Sequence, residues 1–218
     1  MNTLTSKPLA PVSILLGVLI GVLTDAAPAT AQDLSFRPFV MATEQKFSAA
    51  NTFTAVFGSA TQPFWGGGLT ITQEDRYYLD VSASRFKKTG QRAFLSNGQT
   101  FPLGEPLTAT VTPFELTAGY RFHTSTPRIR PYAGGGVGLY RYEETSMFSS
   151  DSENLSTKHA GVIVEGGAEV RLHRWIGVAA DVHYTYVPGI LGDAGLSKDE
   201  GENSLGGVSV RVKVIVGK

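Results

Sequence analysis

From Ala160 to Tyr186 the chain alternates apolar and polar positions almost without a break. Val162, Val164, Gly166, Ala168, Val170 and Leu172 share one face, and Gly161, Ile163, Glu165, Gly167, Glu169 and Arg171 share the other. Beyond a tight turn at His173-Arg174, Ile176, Val178, Ala180, Val182, Tyr184 and Tyr186 oppose Gly177, Ala179, Asp181, His183 and Thr185. Successive side chains of a pleated strand point to opposite sides, so this period of two predicts a hairpin of two strands. Each run is about 11–13 residues, longer than an ordinary strand and long enough to cross a bilayer at a tilt.

Six further segments repeat the pattern. Strand one is expected over Leu34–Gln45, although Phe39 and Met41 fall on its polar face and Pro38 removes a ladder donor. Strand two follows at Phe64–Thr72, with Trp65, Gly67, Leu69 and Ile71 on the apolar side, and strand three at Arg76–Phe86. Strands four and five are Thr108–Phe122 and Ile129–Glu143, the hairpin supplies six and seven, and Ser204–Val216 is strand eight. Short turns (Gln73-Glu74-Asp75, His123–Pro127, His173-Arg174) alternate with long connections (Lys46–Pro63, Lys87–Leu107, Thr145–Lys158, Val187–Asn203). That asymmetry predicts an all-β fold, an eight-stranded antiparallel up-and-down transmembrane β-barrel with periplasmic turns and termini and extracellular loops. A soluble eight-stranded barrel would turn its apolar face inward and show water a face of Lys, Glu and Thr. Here the polar face is crowded with glycine, and the apolar face ends in Trp65, Tyr77, Tyr120, Phe122, Tyr184 and Tyr186, the pattern of an interfacial girdle.

Composition agrees. Lys7, the apolar run Val12–Leu23 and the small residues Ala29-Thr30-Ala31 predict a signal peptide over residues 1–31, leaving a barrel over 32–218. There is no cysteine, which excludes a disulfide framework. The 19 basic and 19 acidic residues cancel, and no basic stripe exists to hold nucleic acid. The positions expected inside carry Asp80, Glu115, Glu165, Glu169 and Asp181 against Arg37, Arg121, Arg171, Arg211 and Lys213. Balanced charge in a lumen that side chains can just fill predicts internal ion pairs rather than a conduction path. Inward glycines (Gly66, Gly68, Gly134, Gly136, Gly138, Gly161, Gly167) are expected to make room for the larger side chains.

Candidate chemistry is sparse. Asp181, His183 and Thr185 share one strand face, in the manner of an acid–His–hydroxyl set. Neighbours on one face stand roughly 7 Å apart by strand rise, too far for direct relay. His123, His159 and His173 are scattered. The expectation is therefore no catalytic, cofactor-binding or metal-binding residue and no cofactor. Recognition is expected in the loops. Asn51–Phe57 reads as a short amphipathic helix or a β-extension, whose Phe53, Val56 and Phe57 either bind a partner or fold over the barrel mouth as a lid. Lys198, Asp199, Glu200 and Glu202 could attract cations or form a solvated charge run.

With the leader, the eight amphipathic strands, PYAGGGVGLY (Pro131–Tyr140) and GGAEVRLHRWIGVAADVHYTY (Gly166–Tyr186), the chain resembles the small outer-membrane β-barrel domain family. That family groups proteins like the OmpA transmembrane domain, OmpX and OmpW. The resemblance implies location in the cell outer membrane. Its expected partners are membrane lipid, lipopolysaccharide, the barrel-assembly machinery and an extracellular ligand at the loops, around a monomer. Where such barrels end in an aromatic residue, this chain ends Val216-Gly217-Lys218. The reading is a non-enzymatic structural or surface-interaction protein. One alternative is an OmpW-like channel for small hydrophobic molecules with Phe53, Phe57, Phe64 and Trp65 near its mouth. Another is a lipid-modifying hydrolase at His183.

Overall fold

Eight strands close on one another in chain order to form a barrel in which every neighbouring pair is antiparallel. The computed structural model describes residues 34–96, 99–146, 155–191 and 195–217; the predicted signal peptide and the middle of the connection before Lys158 lie outside them. The strands are β1 (Leu34–Phe47), β2 (Thr61–Gln73), β3 (Tyr77–Ser96), β4 (Gln99–Arg121), β5 (Ile129–Ser146), β6 (Leu155–His173), β7 (Ile176–Tyr186) and β8 (Gly207–Val216). Closure is made by β1 on β8, from Phe39↔Ile215 to Phe47↔Gly207.

Alternation in sequence becomes alternation in burial, cleanest in β7 and β8, where buried residues alternate with exposed or half-buried ones. The exposed set is the apolar one: Val162, Val164, Val182, Val208, Val210, Val212 and Val214 all face outward. A belt of exposed valine is unfavourable in water and stable against lipid. Aromatics mark both rims of the belt. Trp65, Tyr184 and Tyr186 stand on one, and Tyr77, Tyr120 and Phe122 on the other, with Tyr77–Tyr120 and Tyr120–Phe122 ring centroids 5.5 and 5.1 Å apart.

The connections depart from expectation in three places, and at residues 51–57 they match one of the two expected readings, the short helix. Residues 87–96 and 99–107 are not loop: β3 and β4 run on there as a two-stranded ribbon, with one bulge between Gln91 and Ala93. Their Gly and Pro content suggested irregular chain, but β4 pairs with β5 only from Leu107 onward, so Pro102 and Pro106 sit on an edge that needs no donor. The connection after β1 contains a helix, α1 (Ala50–Phe57), closed by Gly58 in the left-handed conformation with φ 79°. The connection before β8 contains a short helix, α2 (Gly195–Asp199), and β8 begins at Gly207 because Ser204 instead bridges Pro188. The β6–β7 turn is Arg174-Trp175, one residue later than the pattern suggested, since His173 still pairs with Ile176 across a bulge. At the β2–β3 turn Glu74 and Asp75 have φ of 52° and 54°, and Arg76 N–H donates to Gln73 O at 3.0 Å, the signature of a type I′ hairpin turn.

Candidate functional site: the barrel lumen and its lid

The lower lumen, toward the short turns, is polar. Glu169 on β6 accepts both terminal nitrogens of Arg37, at 3.1 Å for Nη1 and more closely for Nη2, and Arg121 Nη2 at 2.9 Å. Asp75 joins from the turn below, 3.5 Å from Arg121 and 3.0 Å from Arg130. One layer higher, Lys213 Nζ lies 2.8 Å from Asp80 and 3.4 Å from Asp181. Arg211 then spans the interior, with Nε 3.1 Å from Asp181, Nη2 2.9 Å from Glu165 and Nη1 3.5 Å from Glu115. Tyrosine hydroxyls donate to three of the carboxylates: Tyr132 to Asp181 and Tyr78 to Glu165 at 2.6 Å, and Tyr140 to Glu115 at 2.7 Å. Buried charge is tolerable only when paired and hydrogen-bonded in this way. Two small cavities of about 20 Å³ each lie beside Lys213 and beside Arg211, each with room for about one water.

The upper lumen is apolar. Phe47, Phe53, Phe57, Phe64 and Phe86 interlock there, with Phe47 stacked on Phe53 at 3.8 Å and Phe57 edge-on to Phe86 at 6.0 Å. Leu107, Val111, Tyr142, Val187, Ile190, Leu196 and Leu205 complete the cluster. Burying each such side chain contributes about 1.5–3 kcal/mol relative to exposure. Phe53, Val56 and Phe57 thus point inward, and α1 is a lid. It lies directly on β3 at Gly90, where an added Cβ would stand 2.1 Å from Val56 O. Its N-terminus is held from the opposite connection: Glu202 accepts the backbone N–H groups of Asn51 and Thr52, each at 2.9 Å, and Glu200 accepts Asn51 Nδ2 at 2.8 Å. A carboxylate there satisfies two free donors and the helix dipole together. The acidic run 199–202 is therefore partly spent on the lid.

Most expected inward residues are where the alternation put them, Phe39 and Met41 included. Arg171 is the exception: it is exposed, because the bulge beside it lifts it onto the rim beyond the lumen. Trp65 is 69% exposed on the outward face where the alternation of strand two puts it, so it does not join Phe53, Phe57 and Phe64 inside the mouth as the channel alternative would have it. The glycine expectation holds for Gly134, where a Cβ would stand 2.3 Å from Tyr78 Oη.

Asp181 and His183 are nearer than strand rise alone suggested. His183 Nε2 lies 2.7 Å from Asp181 Oδ1, because both side chains lean along the strand. It also lies 2.9 Å from Glu165 and in close contact with Arg211 Nη2. Among the described residues no hydrogen bond joins His183 to Thr185. Glu165, Asp181 and His183 place donor atoms within 4.8 Å of one another, a grouping of the kind that can hold a metal ion. In this lumen the same carboxylates are already held by Arg211. Glu165, which strand-face spacing does not link to His183, stands directly opposite it in the hairpin register.

No protein-family model matches this sequence, and no curated protein does. Among solved structures, a major outer membrane protein of Thermus thermophilus superposes with a TM-score of 0.56 at 12% identity, covering 85% of this chain and all (100%) of that one. Neisserial surface protein A superposes with a TM-score of 0.53 at 16% identity, covering 83% of this chain and 96% of the other. The chain has the fold of the small outer-membrane β-barrels. For such a barrel the valine belt is the lipid-facing surface, and belt and fold together place it in the outer membrane. The aromatics on each rim then sit at the two interfaces, and the lid lies at the end that such barrels turn outward.

Proposed function

We propose that this barrel is a closed, non-enzymatic scaffold that holds its loop end at the cell surface and conducts no solute. The observation that carries the reading is the lumen, spanned by Arg211 between Asp181, Glu165 and Glu115 and stoppered above by the phenylalanine cluster. A conducting barrel needs an unfilled path or a lining of one charge sign. His183 is unsuited to lipid hydrolysis, being buried inside the barrel, on the face away from lipid. A channel for apolar molecules would need space at the mouth that Phe53, Phe57 and Phe64 fill. The Neisserial neighbour is named as a surface protein. We carry that role here as a proposal, with lipid, lipopolysaccharide, the assembly machinery and a ligand at the loops as proposed partners of a monomer.

The test is planar-bilayer recording of the refolded barrel. The wild type is expected to leave the baseline flat, and sustained nanosiemens-scale openings would overturn the proposal. Arg211→Ala alone is expected to keep the baseline flat as well, because the phenylalanine cluster still closes the lumen above it and Arg37, Arg121 and Lys213 still fill it below.

A further inference from the structure

The two ends of the barrel are charged differently. At the loop end residues 46–63, 87–107, 141–158 and 187–203 carry seven Lys or Arg against nine Asp or Glu. At the short-turn end, residues 74–76, 122–130 and 171–176 carry five arginines against two carboxylates. One of those carboxylates, Asp75, is taken by Arg121 and Arg130. Arg76, Arg128, Arg171 and Arg174 are exposed and, among the described residues, form no ion pair. They come from three separate turns. Arg128 O accepts the Arg171 N–H at 2.8 Å, and Arg76 O accepts the Arg121 N–H at 2.6 Å, so the turns are tied to the adjoining strands. Beside them Leu172, on the outward face of β6, and Trp175, in the turn, are 66% and 46% exposed, and the Arg174 guanidinium stands 6.0 Å from the Trp175 ring centroid.

We propose that this rim binds anionic phospholipid headgroups in the leaflet it touches, with Arg76, Arg128, Arg171 and Arg174 meeting the phosphates while Leu172 and Trp175 anchor among the upper acyl carbons. Guanidinium groups suit phosphate oxygens, which they can hold with two parallel hydrogen bonds. Long basic side chains at an interface keep their stems against apolar surface and their charge at headgroup level. Clustered basic residues at a membrane surface select anionic over zwitterionic lipid. The inference rests on the membrane-barrel reading but not on the closed lumen.

The chain's two tryptophans stand on opposite rims, which supplies an internal control. Trp65→Phe leaves Trp175 to report on the arginine rim, and Trp175→Phe leaves Trp65 to report on the loop rim. Each refolded variant is placed in mixed phosphatidylcholine–phosphatidylglycerol vesicles in which one lipid or the other is brominated, and fluorescence quenching reads which lipid sits against the tryptophan. Trp175 is expected to favour phosphatidylglycerol by about threefold or more, and Trp65 to show no such preference. The preference should fade in high salt, since the arginines are exposed. It should also vanish when all four arginines are changed to Gln. If that variant does not fold, the salt titration of the Trp65→Phe barrel decides alone. Equal quenching of Trp175 by both lipids, or a preference that survives high salt, overturns the proposal. So does loss of the preference to inorganic phosphate but not to chloride at the same ionic strength, which would mean a free-anion site. Quenching of Trp65 in brominated phosphatidylcholine establishes insertion, so failure of the lipid preference is distinguishable from failure of the barrel reading.

Discussion

The lower and upper halves of the lumen fill the same kind of space by opposite means. Below, carboxylates, guanidinium groups and an ammonium neutralise one another through directional bonds from six strands. Above, rings and branched side chains fill volume with little polarity. The lower half stands or falls by its partners, because removing one ion leaves the rest buried and unpaired. The upper half depends on shape, and its loss is graded by the cavity left behind. A barrel whose outside faces hydrocarbon gains little from hiding apolar groups within its wall, so its interior must hold itself together by pairing and by packing.

Two substitutions should be equally severe and yet unlike. Arg211→Met is expected to lower stability by about 3–5 kcal/mol in urea unfolding from vesicles, and adding Glu165→Gln should restore part of that. A loss below about 1 kcal/mol would show a lumen hydrated enough to make the pairs interchangeable. Phe47→Ala, which removes the ring stacked on Phe53, is expected to cost about 3–5 kcal/mol as well. Like Arg211→Ala it should leave the bilayer recording flat, because the other half of the lumen remains shut.

Gly134→Ala tests the boundary of the polar half. The new methyl would displace Tyr78 and with it the hydroxyl bound to Glu165, and about 1–3 kcal/mol is expected. Smallest is Glu202→Ala at the lid, about 1 kcal/mol. Hydrogen exchange should show faster opening of Asn51 and Thr52 with the strands unchanged. Equal acceleration throughout β1 and β8 would mean that lid and barrel are one cooperative unit.

Period-two alternation made the barrel wall legible because each strand is amphipathic on its own, as the valines of β8 show. It also placed Glu169, Asp181 and Arg211 inside. It could not say that Arg211 and Asp181 touch, since that depends on the register of β7 against β8, nor that Arg171 would escape at a bulge. The ribbon over 87–96 and 99–107 was hidden for another reason. Its prolines signal loop in isolation and are harmless on an edge, a context that only pairing supplies. At the lid, Phe53, Val56 and Phe57 announced an apolar face, but their burial depended on a mouth built by distant strands.

The lid also bears on timing. Ser48 N–H donates to Gly206 O at 2.8 Å and Asn51 N–H to Glu202 at 2.9 Å, contacts between segments on either side of the β1–β8 seam. Contacts so distant in sequence cannot form until nearly the whole chain has been assembled, and closing so long a loop is slow. The latch at Glu202 is accordingly a late event. An unfinished wall would leave Phe47 and Phe53 uncovered, a sticky signature by which an incomplete barrel differs from a finished one.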